Sequence, residues 1–353
     1  MFLVSSLSLC LLLQRHQDIF IRKSSTMNSE KEEERNKILS EKFFTNIYRE
    51  ADTGTKYLRR RILNKFFSDN NFNKNETADI IFMTVIYRLV NRIETFEEFG
   101  QDWGLTNYQS FLEYLEERKE AGKAVFTQAH NTMGRERLRV LVEELVLRID
   151  DVTEEILTAQ SLEQCTEVFR TFSNCDNFFA WQITCDLLEL DIVQLEENSW
   201  VVLGPGARAG LRRVFTSVVT REEELHYTKL LVRILPYCFK TLELTFVPFL
   251  GRRLSLKHVE HALCEWEKYW RQASGESHTG RLYHRRNITN TKLCALCDSQ
   301  EDLQLTVSPW LLCGLCRRFE ERKERNYATS FAWEEVMERF KLNEVGTRAA
   351  IRN

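Results

Sequence analysis

The sequence predicts an all-α protein with a small cysteine-rich module near its C-terminus, and three observations carry that prediction. Only four prolines and thirteen glycines punctuate 353 residues. Long stretches mix Leu, Ile, Val and Phe with Glu, Lys and Arg, the pattern of amphipathic helices joined by short loops. The strings Cys294-Ala-Leu-Cys297 and Cys313-Gly-Leu-Cys316 stand fifteen residues apart. With 43% apolar and 29% charged residues, the chain can bury a substantial core without needing disulfides.

Met1 to Leu13 is a short apolar run with its charge on the wrong side for a secretory signal and no small-residue cleavage site before Ser24. It is too short to span a bilayer. Residues 1–40 are therefore expected to be an N-terminal extension, disordered or a targeting segment, with Met27 as a second candidate initiator. Residues 41–273 are expected to form the helical domain. Phe43 to Phe67 reads as one long helix, and Thr77 is placed to cap the next, whose run Ile80 to Val90 is apolar nearly all round and so central. Thr95 with Glu98, and Thr220 with Glu223, have capping-box spacing. Leu138, Leu141, Val142, Leu145 and Ile149 mark the buried face of a further helix, and Phe178 to Leu190 another. Pro236 should close or kink the helix opened at Thr220, and Ser255 to Trp270 is the last helix of the domain. Residues 274–290 are polar, carry Gly275 and Gly280, and read as a linker. Residues 291–353 hold the module and a terminal helix with Trp333, Val336, Met337 and Phe340 on one face.

Two C-x-x-C knuckles present four thiolates to one ion, the S₄ donor set that zinc takes in closed, structural sites, so Cys294, Cys297, Cys313 and Cys316 are the expected zinc ligands. Four protein ligands leave no open position for hydrolysis, and the ion's role is to fold a module too small to fold alone. The other six cysteines lie singly among apolar residues and read as small buried hydrophobes in a reducing compartment. A net charge of −3 does not announce a nucleic-acid binder, so any such surface must be local. Arg281, His284, Arg285, Arg286, Arg317, Arg318, Arg322, Lys323 and Arg325 flank the knuckles and suit phosphate contacts. Glu320, Glu321 and Glu324 interrupt the second run, which equally fits a solvated helix face.

Leu203-Gly204-Pro205-Gly206-Ala207-Arg208 has the form of a helix-hairpin-helix turn, in which backbone N–H groups at a helix N-terminus hold a phosphate. Gly204 and Gly206 would permit the tight backbone, and Arg208, Arg212 and Arg213 would supply charge, although such turns also occur without ligands. In Phe43-Phe-Thr-Asn46-Ile-Tyr48-Arg49-Glu-Ala-Asp52, continuing to Lys56, the polar residues recur at helical spacing. They could grip a phosphate or hold a reacting amine, or form an ordinary salt-bridge lattice.

Together with Tyr87-Arg88-Leu-Val-Asn91-Arg-Ile-Glu94, Trp181-Gln182 with Asp186, and Glu260-His-Ala-Leu-Cys264-Glu265-Trp-Glu-Lys268-Tyr269, these strings resemble, in the same order, the alpha-glutamyl/putrescinyl thymine pyrophosphorylase group. That group includes the helical domain associated with 5-hydroxymethyldeoxyuridine DNA kinases. The resemblance covers Phe43 to Arg271. It implies an all-helical fold distantly similar to helix-hairpin-helix DNA glycosylases, and work on thymine-derived bases in DNA, where an activated phosphate on the 5-methyl group is replaced by an amine. Such a displacement needs cationic stabilisation of the leaving group and a base for the amine. The matching positions make Arg49 and Lys56 the electrostatic candidates and Asp52 or Glu94 the base, with Asn91, Gln182, Asp186 and Glu265 as further polar members. The base would be flipped out of the duplex, with Gly204, Gly206 and Arg208 holding the backbone. A non-catalytic reader of modified DNA and a base-excising glycosylase are the alternatives. DNA is the expected partner, no membrane is expected, and the DNA reading makes the nucleus the expected location.

Overall fold

A computed structural model describes residues 38, 42, 44–67, 72–127, 135–215, 220–241, 246, 248–276, 292–307 and 310–324. The terminal extension, most of the expected linker and the expected helix at Trp333–Phe340 lie outside the described residues. Among the described residues, ten helices precede the cysteine knuckles: α1 (Thr53–Phe66), α2 (Lys74–Val90), α3 (Ile93–Phe99), α4 (Tyr108–Glu120), α5 (Arg135–Thr158), α6 (Leu162–Arg170), α7 (Asn177–Glu189), α8 (Pro205–Val214), α9 (Arg221–Thr241) and α10 (Leu256–Ala273). Two short antiparallel strands, β1 (Gln304–Val307) and β2 (Trp310–Leu312), and α11 (Gly314–Glu324) complete the module. The fold is mostly helical, as the composition predicts.

The α2 segment is buried on every side from Ile80 to Val90, so it runs through the centre, as its unbroken apolar run requires. Helices α1, α5 and α7 pack against it or its neighbours, with Leu138, Leu141, Val142 and Leu145 forming the inner face of α5. Thr220 and Glu223 exchange capping hydrogen bonds, the expected box.

Three local expectations are corrected, and a fourth, that Pro236 closes or kinks its helix, is narrowed. The run from Phe43 is not one helix: a 3₁₀ turn at Arg49–Ala51 precedes α1, and Asp52 caps α1 by accepting from the Gly54 N–H at 3.0 Å. Asn73, not Thr77, caps α2 through a reciprocal box with Glu76, because Asn73 stands three residues before a Glu and Thr77 three before Ile80. Thr95 lies inside α3 and donates to the Val125 carbonyl instead of capping. The helix α9 continues through Pro236, so that proline does not close it.

The cysteine module is packed onto the helical body. Trp310 and Phe319 are fully buried in the same core as the helices. Trp310 Nε1 donates to the Pro248 carbonyl and Lys323 Nζ to the Leu188 carbonyl. Arg322 lies 4.6–5.1 Å from the ring centroids of Phe67, Phe72 and Phe319, and Glu320 pairs with Arg252. The basic run on α11 thus serves neither phosphate nor solvent at Arg322 and Lys323; both side chains are buried against α1, α7 and the α7–α8 connection.

Candidate functional site

Asp186 on α7 is wholly buried and is gripped by two arginines from other parts of the chain. Its Oδ1 accepts from Arg49 Nη2 at 2.9 Å, from Arg49 Nε at 3.2 Å and from Arg88 Nη2 at 2.7 Å, and Oδ2 accepts from Arg88 Nε at 2.7 Å. One turn earlier on the same helix, Gln182 accepts from Arg49 through both its side-chain oxygen, at 2.5 Å, and its carbonyl, at 3.0 Å. Burial pushes the Asp186 carboxyl up, but the charges of Arg49 and Arg88 overcome it and hold the group below the ordinary carboxylate range. Two guanidinium groups on one carboxylate leave a residual positive charge among buried groups.

Glu260 and His261 on α10 face this charge. Burial raises the Glu260 carboxyl to about 7, against the opposing pull of Arg49 and a hydrogen bond from the Gly204 backbone. Burial lowers His261 to about 4, so the imidazole is neutral near pH 7; Asp52 acts in the opposite direction and Arg49 adds to the lowering. Its Nδ1 is buried without a hydrogen-bond partner among the described residues.

Above the arginines, three oxygens converge at the first turn of α1. A side-chain carbon on Gly54 would stand 2.9 Å from the Tyr87 hydroxyl, 3.2 Å from Asp52 Oδ2 and 3.7 Å from Asn91 Oδ1. Asn91 reaches this point from the left-handed C-cap of α2 (φ 49°), a conformation Asn tolerates better than most residues, with its N–H on the Tyr87 carbonyl. The Tyr87 hydroxyl is buried and makes no hydrogen bond among the described residues. Buried polar atoms are normally satisfied, so this orphan, close enough to the arginines for Arg88 to act on Tyr87 and Asp52 on Arg49, makes the cluster the candidate site.

Of the residues singled out in the sequence, the structure brings Arg49, Asp52, Asn91, Gln182 and Asp186 to one place and sends the others elsewhere. Lys56 is buried and pairs at 2.8 Å with Asp298, just after the first cysteine knuckle. Glu94 is largely exposed and lies 3.5 Å from Arg92. Glu265 accepts from the Thr45 N–H and from Lys268. Arg88, Tyr87, Glu260 and His261 belong to the site although nothing in their spacing ranks them above their neighbours. They sat inside the strings that carry the family resemblance, and only the fold turns them toward Arg49.

The Gly204-Pro205-Gly206 turn opens α8, with Pro205 in the first turn. Its glycines provide close packing: a Cβ on Gly204 would stand 2.7 Å from the Phe178 ring and one on Gly206 2.7 Å from Cys264 Sγ. Arg208 pairs with Glu224, Arg213 pairs with Glu267 and Glu276, and Arg212 is exposed.

The thiols of Cys294, Cys297, Cys313 and Cys316 lie within 4.8 Å of one another, all buried and none in a disulfide. Four sulfurs about 2.3 Å from one ion would be about 3.8 Å apart, and Cys297 and Cys313 are separated by 3.6 Å, so the cluster could hold a metal ion. Among the described residues no helix is long and apolar enough to cross a membrane.

The family described as 5-hmdU DNA kinase, helical domain, matches residues 8–279. The chain belongs to this family. The match takes in the whole candidate site, reaches N-terminal of Phe43 into the expected extension, and ends before the first cysteine knuckle. No curated protein matches, and no solved structure does.

Proposed function

We propose that this 5-hmdU DNA kinase helical-domain protein acts on a thymine-derived base in DNA, taking the extruded base against Gly54, Tyr87, Asp52 and Asn91. The observation that carries the reading is the convergence of those polar atoms, among them an unsatisfied buried hydroxyl, over the Arg49–Asp186–Arg88 floor. A pyrimidine offers both donors and acceptors on its Watson–Crick edge, which this mixed set can match.

The reaction that fits best is amine substitution at the 5-methylene carbon of a phosphorylated 5-hydroxymethyluracil. The amine nitrogen forms the new bond, the carbon–oxygen bond breaks, and the phosphate leaves with the electron pair toward Arg88 and Arg49. Asp52 takes the amine proton. A scaffold related to helix-hairpin-helix glycosylases and a nuclear location accord with this role, and the four thiols would hold structural zinc. The second reading, a non-catalytic reader of the modified base, is favoured by one detail: Asp186 and Gln182 already engage all three Arg49 nitrogens.

The test is incubation of metal-loaded protein with matched duplexes carrying thymine, 5-hydroxymethyluracil or its phosphorylated form, an amine mixture, and mass spectrometry of the recovered DNA. A changed base mass that disappears in Asp52→Asn supports the transferase. Selective binding without a mass change supports the reader, and equal affinity for all three duplexes refutes the base pocket.

A further inference from the structure

The sequence places phosphate-binding charge on the Gly204 turn, yet two of its three arginines are neutralised there by glutamates. A different basic patch lies on α1, the helix whose first turn carries Asp52 and Gly54. Arg60 lies over the Tyr57 ring at 5.7 Å, and Arg61 over the Trp103 ring at 5.1 Å. Neither makes an ion pair with a carboxylate among the described residues, whereas Arg49, Arg59, Arg88, Arg208 and Arg213 all do. Both residues are half-buried, not sealed in the core as Arg59 is.

The rings beneath them adjoin the candidate site. Tyr57 stacks on Tyr87 at 5.8 Å, and it is the Tyr87 hydroxyl that stands over Gly54. Tyr57 also lies parallel to Trp103 at 6.3 Å, with 11° between the ring planes. Gly54 and Arg61 are seven residues apart and therefore share one face of α1, separated by about 10 Å along its axis. That distance corresponds to roughly three nucleotides of one strand at about 3.4 Å each. A guanidinium stacked on an aromatic ring is held in place before it binds, so it loses less freedom on meeting a phosphate than an unsupported side chain would. Glu97 is an acidic group whose charge reaches Tyr57, and Lys65, one turn beyond Arg61, is matched by Asp79 and Asp102, so the two arginines are the cations of this face left without a carboxylate among the described residues.

We propose that Arg60 and Arg61 form the DNA-backbone contact of this protein, clasping phosphates beside the extruded nucleotide whose base enters at Gly54. The assignment rests on the base-handling function proposed above, and its test separates the two. Affinity for an unmodified duplex and for one carrying 5-hydroxymethyluracil is measured by fluorescence anisotropy over a salt series. The variants are Arg60→Gln/Arg61→Gln, Arg60→Lys/Arg61→Lys and the single Arg60→Gln, with melting curves as the check on folding.

The glutamine pair should weaken both duplexes to the same degree and lower the salt slope by about 2. Between 50 and 200 mM salt its loss of affinity should then be about tenfold smaller than that of the wild type. The lysine pair should restore most of the slope, and Arg60→Gln alone should lower it by about 1. If the glutamine pair melts early, the single variant carries the test. A folded glutamine pair with the wild-type slope, or a loss that lysine does not recover, overturns the backbone contact while leaving the base pocket standing. Absence of wild-type affinity for any duplex at low salt overturns both.

Discussion

Asp186 illustrates how one residue's meaning depends on partners far away in sequence. A lone Asp in the apolar helix Asn177–Glu189 would be costly to bury as an anion, and only Arg49 and Arg88, arriving from two other segments, make its charge the stable form. Glu260 sits in the same environment with the opposite outcome, its carboxyl raised from 4.5 to about 7 chiefly by burial. In the folded protein that carboxyl keeps its proton between these two pH values while the unfolded chain has lost it. Glu260 therefore makes stability fall as pH rises from about 4.5 to about 7, with no further effect above. At 1.36 kcal/mol per pKa unit the change is on the order of 3 kcal/mol. Glu260→Gln keeps an acceptor for the Gly204 N–H but cannot titrate, so its urea-unfolding free energy should fall by about that much less than the wild type's between pH 4.5 and 7. Parallel pH profiles for the two proteins would contradict the assignment.

Among the elements, α8 and α10 form the most intimate pair. Their approach depends on small residues on α8: Gly206 faces Cys264, and Gly210 sits against the Leu263 carbonyl. The backbone oxygen of Leu263 cannot rotate away as a side chain could. Gly210→Ala should accordingly destabilise the protein by about 1–3 kcal/mol despite alanine's better helix propensity, because overpacking outweighs the roughly 1 kcal/mol propensity gain. Chemical denaturation would show it, and an unchanged or raised stability would mean that the two helices can separate freely. This packing also explains the Gly-Pro-Gly string without a ligand. A pattern that suits a phosphate turn suits a close helix crossing equally well, since both need a backbone free of side chains.

At the scale of the molecule, the knuckles and the helical body hold α1 between them. Lys56 reaches Asp298, and Arg59, fully buried, donates to the Leu296 and Glu50 carbonyls at 3.3 Å each while pairing with Glu189. Because α1 begins at the candidate site, whatever folds the knuckles also steadies Asp52 and Gly54. Purified protein should contain close to one metal ion per chain by elemental analysis, and stripping it with a strong chelator should lower the melting temperature by more than about 5 °C. Restoring zinc should reverse the shift. Full stability after complete removal would show that the thiol cluster needs no ion.

The sequence by itself determined the helical class, the central place of Ile80–Val90, the four clustered cysteines and the strings that carry the family. These are local: periodicity, unbroken apolar runs and short fixed spacings are properties of contiguous residues. What only the tertiary structure decided is which polar residues meet. Arg49, Arg88, Asp186 and Glu260 lie on four separate segments, and Lys56 and Glu94, equally plausible by spacing, are turned to Asp298 and to solvent. Chain spacing fixes the face of a helix on which a side chain stands. What that face packs against follows from the burial of the whole chain, and with it whether a charge is neutralised, shifted or left available for a ligand.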